Sequence, residues 1–326
     1  MGRRSTSLVV CAVLVLTLSL SSMVGAQQIL KAGHVIAPTH PYHLGLIKFA
    51  ELVEERTGGR YKIEVYHSGQ LGNERDMIEG VQMGTLDITL VATGPVSNFV
   101  PSIAVVDLPF LFSSYEHADR VLDGPIGQRL LEDFKKARLV GLAFWENGFR
   151  NITNSKRPIN EAGDVRGLKI RTMENQIHQA SFQALGADPV PMAWGEAYTA
   201  LQQKTIDGQE NPIPNIFSLK VHEIQKYIAM TGHFYSPAPL IISRAVFEKM
   251  SSDDQVVFLE TAREVAVYER ELNRAQEDEC LEKMKAAGNI ITYPDRKAFR
   301  DATKVVYDRF GKKFGEDLIA DILAAE

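Results

Sequence analysis

Short runs in which apolar and polar residues alternate are separated by longer stretches in which apolar residues recur every three or four positions. This is the pattern of strands alternating with helices. Ile29 to His34 and Tyr61 to Tyr66 read as strands; Pro41 to Arg56 lies between them as a helix with Leu44, Ile47, Phe49, Leu52 and Val53 as its apolar positions. Gly58-Gly59 ends that helix, Asn73 caps another running to about Met83, and Leu86 to Val91 is a third strand. A second block repeats the alternation: strands at Leu139 to Trp145 and Leu168 to Thr172, then helices at Gln176 to Leu185 and Trp194 to Gln203 before an Asp207-Gly208 turn. The pattern predicts an α/β protein of two successive units, with parallel sheets covered by helices on both faces.

The C-terminal pattern is of a different length. Ser252-Asp253-Asp254-Gln255 matches a capping box, and apolar residues recur from Val256 through Leu259, Ala262, Val265, Ala266, Leu272 and Ala275 to Leu281. No Pro or Gly interrupts this run before Gly288, which predicts a helix of about 34 residues, roughly 50 Å long. That is longer than one small unit, so the helix is expected to run across both.

Composition changes the picture at the N-terminus. Arg3 and Arg4, the apolar run Leu8 to Leu20 and the small residues Val24-Gly25-Ala26 read as a signal peptide over residues 1–26, cleaved before Gln27. The apolar core is too short for a membrane span, and no later run is long enough. With Cys11 removed, Cys280 is the only thiol, so no internal disulfide is expected. A net charge of -5 gives no electrostatic reason to expect nucleic acid. The chain is therefore expected in the periplasm, held together by its apolar core.

Two segments carry candidate chemistry. Gly167-Leu168-Lys169-Ile170-Arg171 is a short strand ending on a fixed positive charge, placed where open α/β sheets bind ligands, and Asp207 to Pro212 ends in the amide of Asn211. Arginine offers a planar fork that matches a carboxylate, and Asn211 could complete its grip; the alternative is a surface Arg171 paired with Glu174. Arg150 follows another apolar strand in the same way. Trp194 is either core or the flat wall of a pocket. His40 and His43 lie three apart across a Pro with His34 nearby, but the pair lacks a third ligand at a spacing typical of zinc. His40 serves better as a polar ligand contact at the mouth of the first strand. Neither a Gly-x-Ser-x-Gly elbow nor a phosphate-binding loop occurs, so neither catalysis nor a cofactor is expected.

In order and spacing, several segments resemble the solute-binding subunits of tripartite ATP-independent periplasmic (TRAP) transporters, the DctP-like family. They are His67 to Glu74, Gly84 to Thr89, Asp107-Leu108-Pro109-Phe110-Leu111, Gly163 to Asn175, Ala184 through Trp194, and Asp207 to Pro212. The resemblance implies that Arg171 anchors a carboxylate, that Arg150 is a second binding arginine and that Asn211 completes the anchor. Trp194 falls where the family often has a Phe against the ligand, and Glu74 where an acidic residue meets hydroxyls or amines; Asn175 joins the candidate contacts. Ala92 stands where the sialic-acid branch is acidic, which speaks against sialate.

The implied fold is two discontinuous domains, 27–146 with 237–276 and 147–236 with 277–326, closing on a small organic acid that is delivered to a membrane permease. A C4-dicarboxylate would engage both arginines. A uronic or aldonic acid would use Arg171 for its carboxylate, and Glu74, Asn211 and His40 for its hydroxyls. A ligand-sensing subunit for a membrane kinase and an exported enzyme acting on an organic acid are the competing readings.

Overall fold

The structure, a computed structural model, describes residues 27–326; the expected signal peptide lies outside the described residues. Nine strands form one twisted sheet: β1 (Gln28–Gly33), β2 (Tyr61–Tyr66), β3 (Ile88–Leu90), β4 (Leu139–Asn154), β5 (Lys169–Thr172), β6 (Asp188–Pro191), β7 (Gly208–Asn211), β8 (Tyr227–Ser243) and β9 (Ile290–Thr292). Their order is β2-β1-β3-β8-β4-β7-β5-β6, with β9 alongside β8. At one end β1 pairs in parallel with β2 and β3, and at the other β5 pairs in parallel with β6 and β7.

The middle departs from the parallel sheets expected. β4 and β8, of 16 and 17 residues, pair antiparallel with each other, β8 runs antiparallel to β3, and β4 runs antiparallel to β7. β4 was expected to stop at Trp145. It continues because Asn147, Arg150, Asn151, Thr153 and Asn154 are buried polar residues on a strand whose backbone stays paired with β8, a pattern that resembles a loop in sequence. The ladder shifts register between Glu146 and Gly148, where Gly148 adopts a φ of 113° that a side chain would strain.

The long helix runs from Ser252 to Ala286, 35 residues, and rests on β4, on the helix Pro41–Arg56 and on the short helix Ile213–Ser218. Its cap is Ser251 rather than Ser252: the Ser251 hydroxyl accepts from the Asp254 amide at 3.1 Å. Halfway along, Asn273 donates to the Glu146 carboxylate and the Asn147 carbonyl, both at 3.2 Å, which ties the helix to β4 at the register shift.

The helix Pro41–Arg56 buries Tyr42, Leu46, Phe49 and Val53, a stripe at four- and three-residue steps, and leaves Leu44 and Ile47 exposed. Those two were expected on the buried face; they lie to one side of the stripe that meets the long helix. Val256, counted in the apolar face of the long helix, is likewise exposed. Among the described residues no helix is long and apolar enough to cross a membrane.

Candidate ligand-binding cleft

Arg171 sits near the end of β5, held between β7 and β6 by pairing with Gln209 and Val190. It is 2% exposed. Its Nε and Nη2 donate to the Met192 carbonyl at 2.9 and 2.6 Å, and its guanidinium lies 5.5 Å from the centre of the Trp194 ring. No carboxylate comes within ion-pair distance of it among the described residues, so the surface pairing with Glu174 does not form. Burial pushes its pKa down to about 10; Glu210 pulls it upward and Arg150 downward. Even so, the group is protonated at neutral pH, a buried cation short of a counter-charge.

A small cavity opens against this cation. Arg171, Trp194, Asn211 and Met173 line it together with Val35, Ile36, Tyr42, Glu74, Ala92, Asn147 and Asn215. Open space within it amounts to about 20 Å³, room for about one water. Admitting an organic acid therefore requires the walls to part. A wider groove of about 410 Å³ runs past Ser102, Gln176, Phe310 and Lys313, without Arg171, Trp194 or Asn211 in its lining.

Glu74 opens the helix Glu74–Met83, which Asn73 caps with a reciprocal bond to Asp76. One of its carboxylate oxygens accepts from the Ala92 amide at 3.4 Å. Burial raises the carboxyl pKa of Glu74, against the pull of Arg171. Asn211, the last residue of β7, lies opposite Asn151 of β4, lines the cavity and donates to Gln209 at 2.6 Å. Trp194 begins the helix Trp194–Gln202, 5% exposed, and is both buried and a wall.

Three expected contacts are placed differently. Arg150 does not line the cavity: its Nε and Nη2 form a double bridge of 2.5 and 2.8 Å with the two oxygens of Glu210, and Nη2 also donates to the Glu210 carbonyl at 2.7 Å. The pairing of β4 with β7 sets Glu210 opposite Ile152, beside Arg150, so both charges are fully buried together. Burial opposes ionisation of Glu210, yet Arg150, with His178 and His233 adding to it, holds its carboxyl well below the usual range.

His40 caps the helix Pro41–Arg56 and stands behind Asn215 rather than in the cavity. Asn175 caps the helix Gln176–Ala184, accepting from Ile177 and His178, and donates to Asp107 at 2.8 Å. Its amide is consumed there, and it does not line the cavity.

Tyr42, Asn147 and Asn215 are cavity residues that the sequence reading passed over. Tyr42 lies within a segment that draws attention for its histidines, Asn147 in a stretch that looks like a loop, and Asn215 behind two prolines. Only the buried, unpartnered hydroxyl of Tyr42 identifies it, and that is a property of the fold. Burial, followed by Glu269, pushes its pKa well upward, so it is a neutral hydroxyl that can donate or accept. His34 and His43 do meet, at 3.1 Å, but no cluster of three or more His, Cys, Asp or Glu is arranged to hold a metal among the described residues.

Comparison with known proteins places this geometry in context. A family model described as bacterial extracellular solute-binding protein, family 7, matches residues 32–313. A solute-binding protein of Verminephrobacter eiseniae is 45% identical, the match covering 85% of this chain and 83% of that protein. A TRAP periplasmic solute-binding protein of a Polaromonas species, bound to D-erythronate, is 46% identical and superposes with a TM-score of 0.90 over 91% of this chain and 99% of that one. A TRAP periplasmic solute-binding protein of Sulfurospirillum deleyianum with bound succinate is 32% identical, with a TM-score of 0.86 over 91% and 99%.

Proposed function

The chain belongs to bacterial extracellular solute-binding protein family 7, the solute-binding proteins of TRAP transporters, and from that premise we propose that its ligand is a short hydroxylated monocarboxylate. The observation that carries this reading is the difference between the two arginines. Arg150 is neutralised within the fold by Glu210, whereas Arg171 faces the cavity without a carboxylate partner. One ligand carboxylate therefore has a counter-charge; a second would have to lie near Glu74, which repels it.

The other polar groups of the cavity, Tyr42, Asn147, Asn211 and Asn215, suit hydroxyls: neutral donors and acceptors that can pair with an O–H in either sense. Of the two ligand classes expected from the sequence, this favours an aldonic acid over a C4-dicarboxylate. Erythronate, found in the Polaromonas relative, is the natural test compound.

The same reading extends to the way the protein works. The two lobes, residues 27–146 with 237–276 and 147–236 with 277–326, part to admit the acid and close over it, which withdraws the paired carboxylate from water. The crossing points support this division: Glu146 pairs with Pro237 across β4 and β8, and Arg274 of the long helix bonds to Glu146 at 2.7 Å. The closed receptor delivers its acid to the membrane permease after export and removal of residues 1–26; it binds the acid without transforming it.

A thermal-shift screen of the purified protein against aldonates, uronates and dicarboxylates tests the ligand class. A ligand at 100 times its Kd stabilises by about 2.7 kcal/mol. Stabilisation by erythronate or another aldonate is the expected result. Stabilisation by dicarboxylates alone would overturn the reading.

A further inference from the structure

His40 is 1% exposed and does not touch the cavity, yet its bonds determine which atoms the cavity presents. Its Nδ1 accepts from the Tyr42 amide at 3.2 Å, a partner that can only donate, so the proton of the neutral ring must sit on Nε2. Burial lowers the pKa of His40 to about 4, which keeps the ring neutral at pH 7. Nε2 lies 3.0 Å from Asn215. The Asn215 atom there must be the carbonyl oxygen, since only it can accept.

The orientation of one amide then sets the next. With Oδ1 turned to His40, the Nδ2 of Asn215 donates to Oδ1 of Asn147 at 2.9 Å, and the Nδ2 of Asn147 donates in turn to the Ser236 hydroxyl at 3.4 Å. Every member of this chain is at least 97% buried, so water cannot reverse an amide cheaply. The relay runs in one direction, from the cap of the helix Pro41–Arg56 to the middle of β8. It leaves a second N–H on Asn215 and spare oxygen lone pairs on both amides for a ligand, beside the unpartnered Tyr42 hydroxyl.

We propose that His40 is a positioning residue that fixes the donor and acceptor pattern of Asn215 and Asn147, and thereby sets the preference of the cleft for a hydroxylated acid over its deoxy counterpart. The inference rests on the hydroxy-acid reading above and adds the residue that enforces it. Replacing the ring with a side chain that still caps the helix but stops short of Asn215 frees both amides to rotate, and the hydroxyl pattern of the site is lost.

His40→Asn is that replacement, because Asn is among the best N-caps and is too short to reach Asn215. The readout is the ratio of the Kd for butanoate to the Kd for erythronate, two four-carbon acids that differ in their hydroxyls. Removing the relay lowers this ratio about tenfold, as expected when roughly one neutral hydrogen bond of discrimination is lost. Equal weakening of both acids, or an unchanged ratio, would assign His40 a purely structural role.

Asn215→Asp provides a second reading that does not disturb the cap: its carboxylate cannot donate to Asn147, so the ratio falls here too. Arg171→Lys weakens both acids alike and leaves the ratio in place, which separates the anchor from the relay. Wild-type protein that bound butanoate as tightly as erythronate would overturn the hydroxy-acid reading itself.

Discussion

Arg150 and Arg171 are both fully buried, both carried on strands of the central sheet, and they are treated in opposite ways. Arg150 meets the two oxygens of Glu210 in a planar double bridge, with His233 at 3.2 Å from the same carboxylate. Arg171 is given a backbone carbonyl and the face of Trp194, neither of which carries a charge. Taking a guanidinium out of water costs several kcal/mol unless a counter-charge accompanies it. For Arg150 the fold supplies that partner. For Arg171 it does not, and the proposed ligand carboxylate would supply the missing negative charge. Of two buried arginines, the one without a partner is thus the stronger candidate for a ligand contact.

The largest effect that separates the two is on folding. Glu210→Ala leaves Arg150 buried without its partner, and a stability loss of about 3 to 5 kcal/mol is expected in urea unfolding. Arg171→Met removes an uncompensated cation, so the ligand-free protein should be as stable as wild type or more so. A comparable loss from both substitutions would erase the distinction.

Affinity provides the next contrast. Two charge-assisted bonds to a carboxylate are worth about 1.5 to 3 kcal/mol each, so Arg171→Ala should weaken erythronate binding by more than a hundredfold in calorimetry. Arg171→Lys, which keeps the charge but not the fork, should cost at least tenfold. Unchanged affinity in Arg171→Ala would remove the anchor assignment.

The relay wall has its own signature in pH. His40 is held to a pKa of about 4 in the fold, against about 6.5 when unfolded. The unfolded chain therefore gains a proton that the native one refuses as the pH falls from 6.5 toward 4, and stability drops by about 1.4 kcal/mol per unit on account of this group. Above pH 6.5 its contribution is complete. His34, held to about 3 by burial and by His43, adds a parallel loss. His40→Asn should lack the first contribution, so its unfolding midpoints should decline less steeply than wild type between pH 6.5 and 4; identical slopes would mean the ring is not held neutral.

The smallest effect belongs to Trp194. Its ring lies 5.5 Å from the Arg171 guanidinium, and Trp194→Phe keeps a flat apolar wall while weakening the cation–π contact. A two- to fivefold loss in affinity follows, consistent with about 0.5 to 1 kcal/mol. A loss as large as that of Arg171→Lys would mean that Trp194 touches the ligand more intimately than the geometry implies.

Much of the fold can be read from the order of residues because its signals are local. The helix Pro41–Arg56, the Asn73 cap and the strand Tyr61–Tyr66 appear where the apolar pattern and capping chemistry put them, and the long helix ends within two residues of its predicted stop. Arg171 stood out because a lone charge after an apolar strand is a local feature too. Arg150 looks the same in sequence, and the residue that neutralises it in the fold lies 60 positions away, beyond the reach of a local pattern. Likewise the polar half of β4 resembled a loop until β7 and β8 were placed on either side of it. His40 reads in sequence as a polar ligand contact, whereas in the fold it bonds to Asn215, 175 positions distant, and stands outside the cavity. What escapes a sequence reading here is pairing between remote buried polar groups, which decides what each one is free to do.

The central claim is that the cleft offers one counter-charge and a neutral wall of hydroxyl-reading groups. Calorimetric titration of the wild-type protein with erythronate and, separately, with succinate tests it most directly. Erythronate should bind at least about a hundredfold more tightly, because the second carboxylate of succinate would be buried near Glu74 with no cation to meet it. Succinate binding as tightly as erythronate, or more so, would contradict the account.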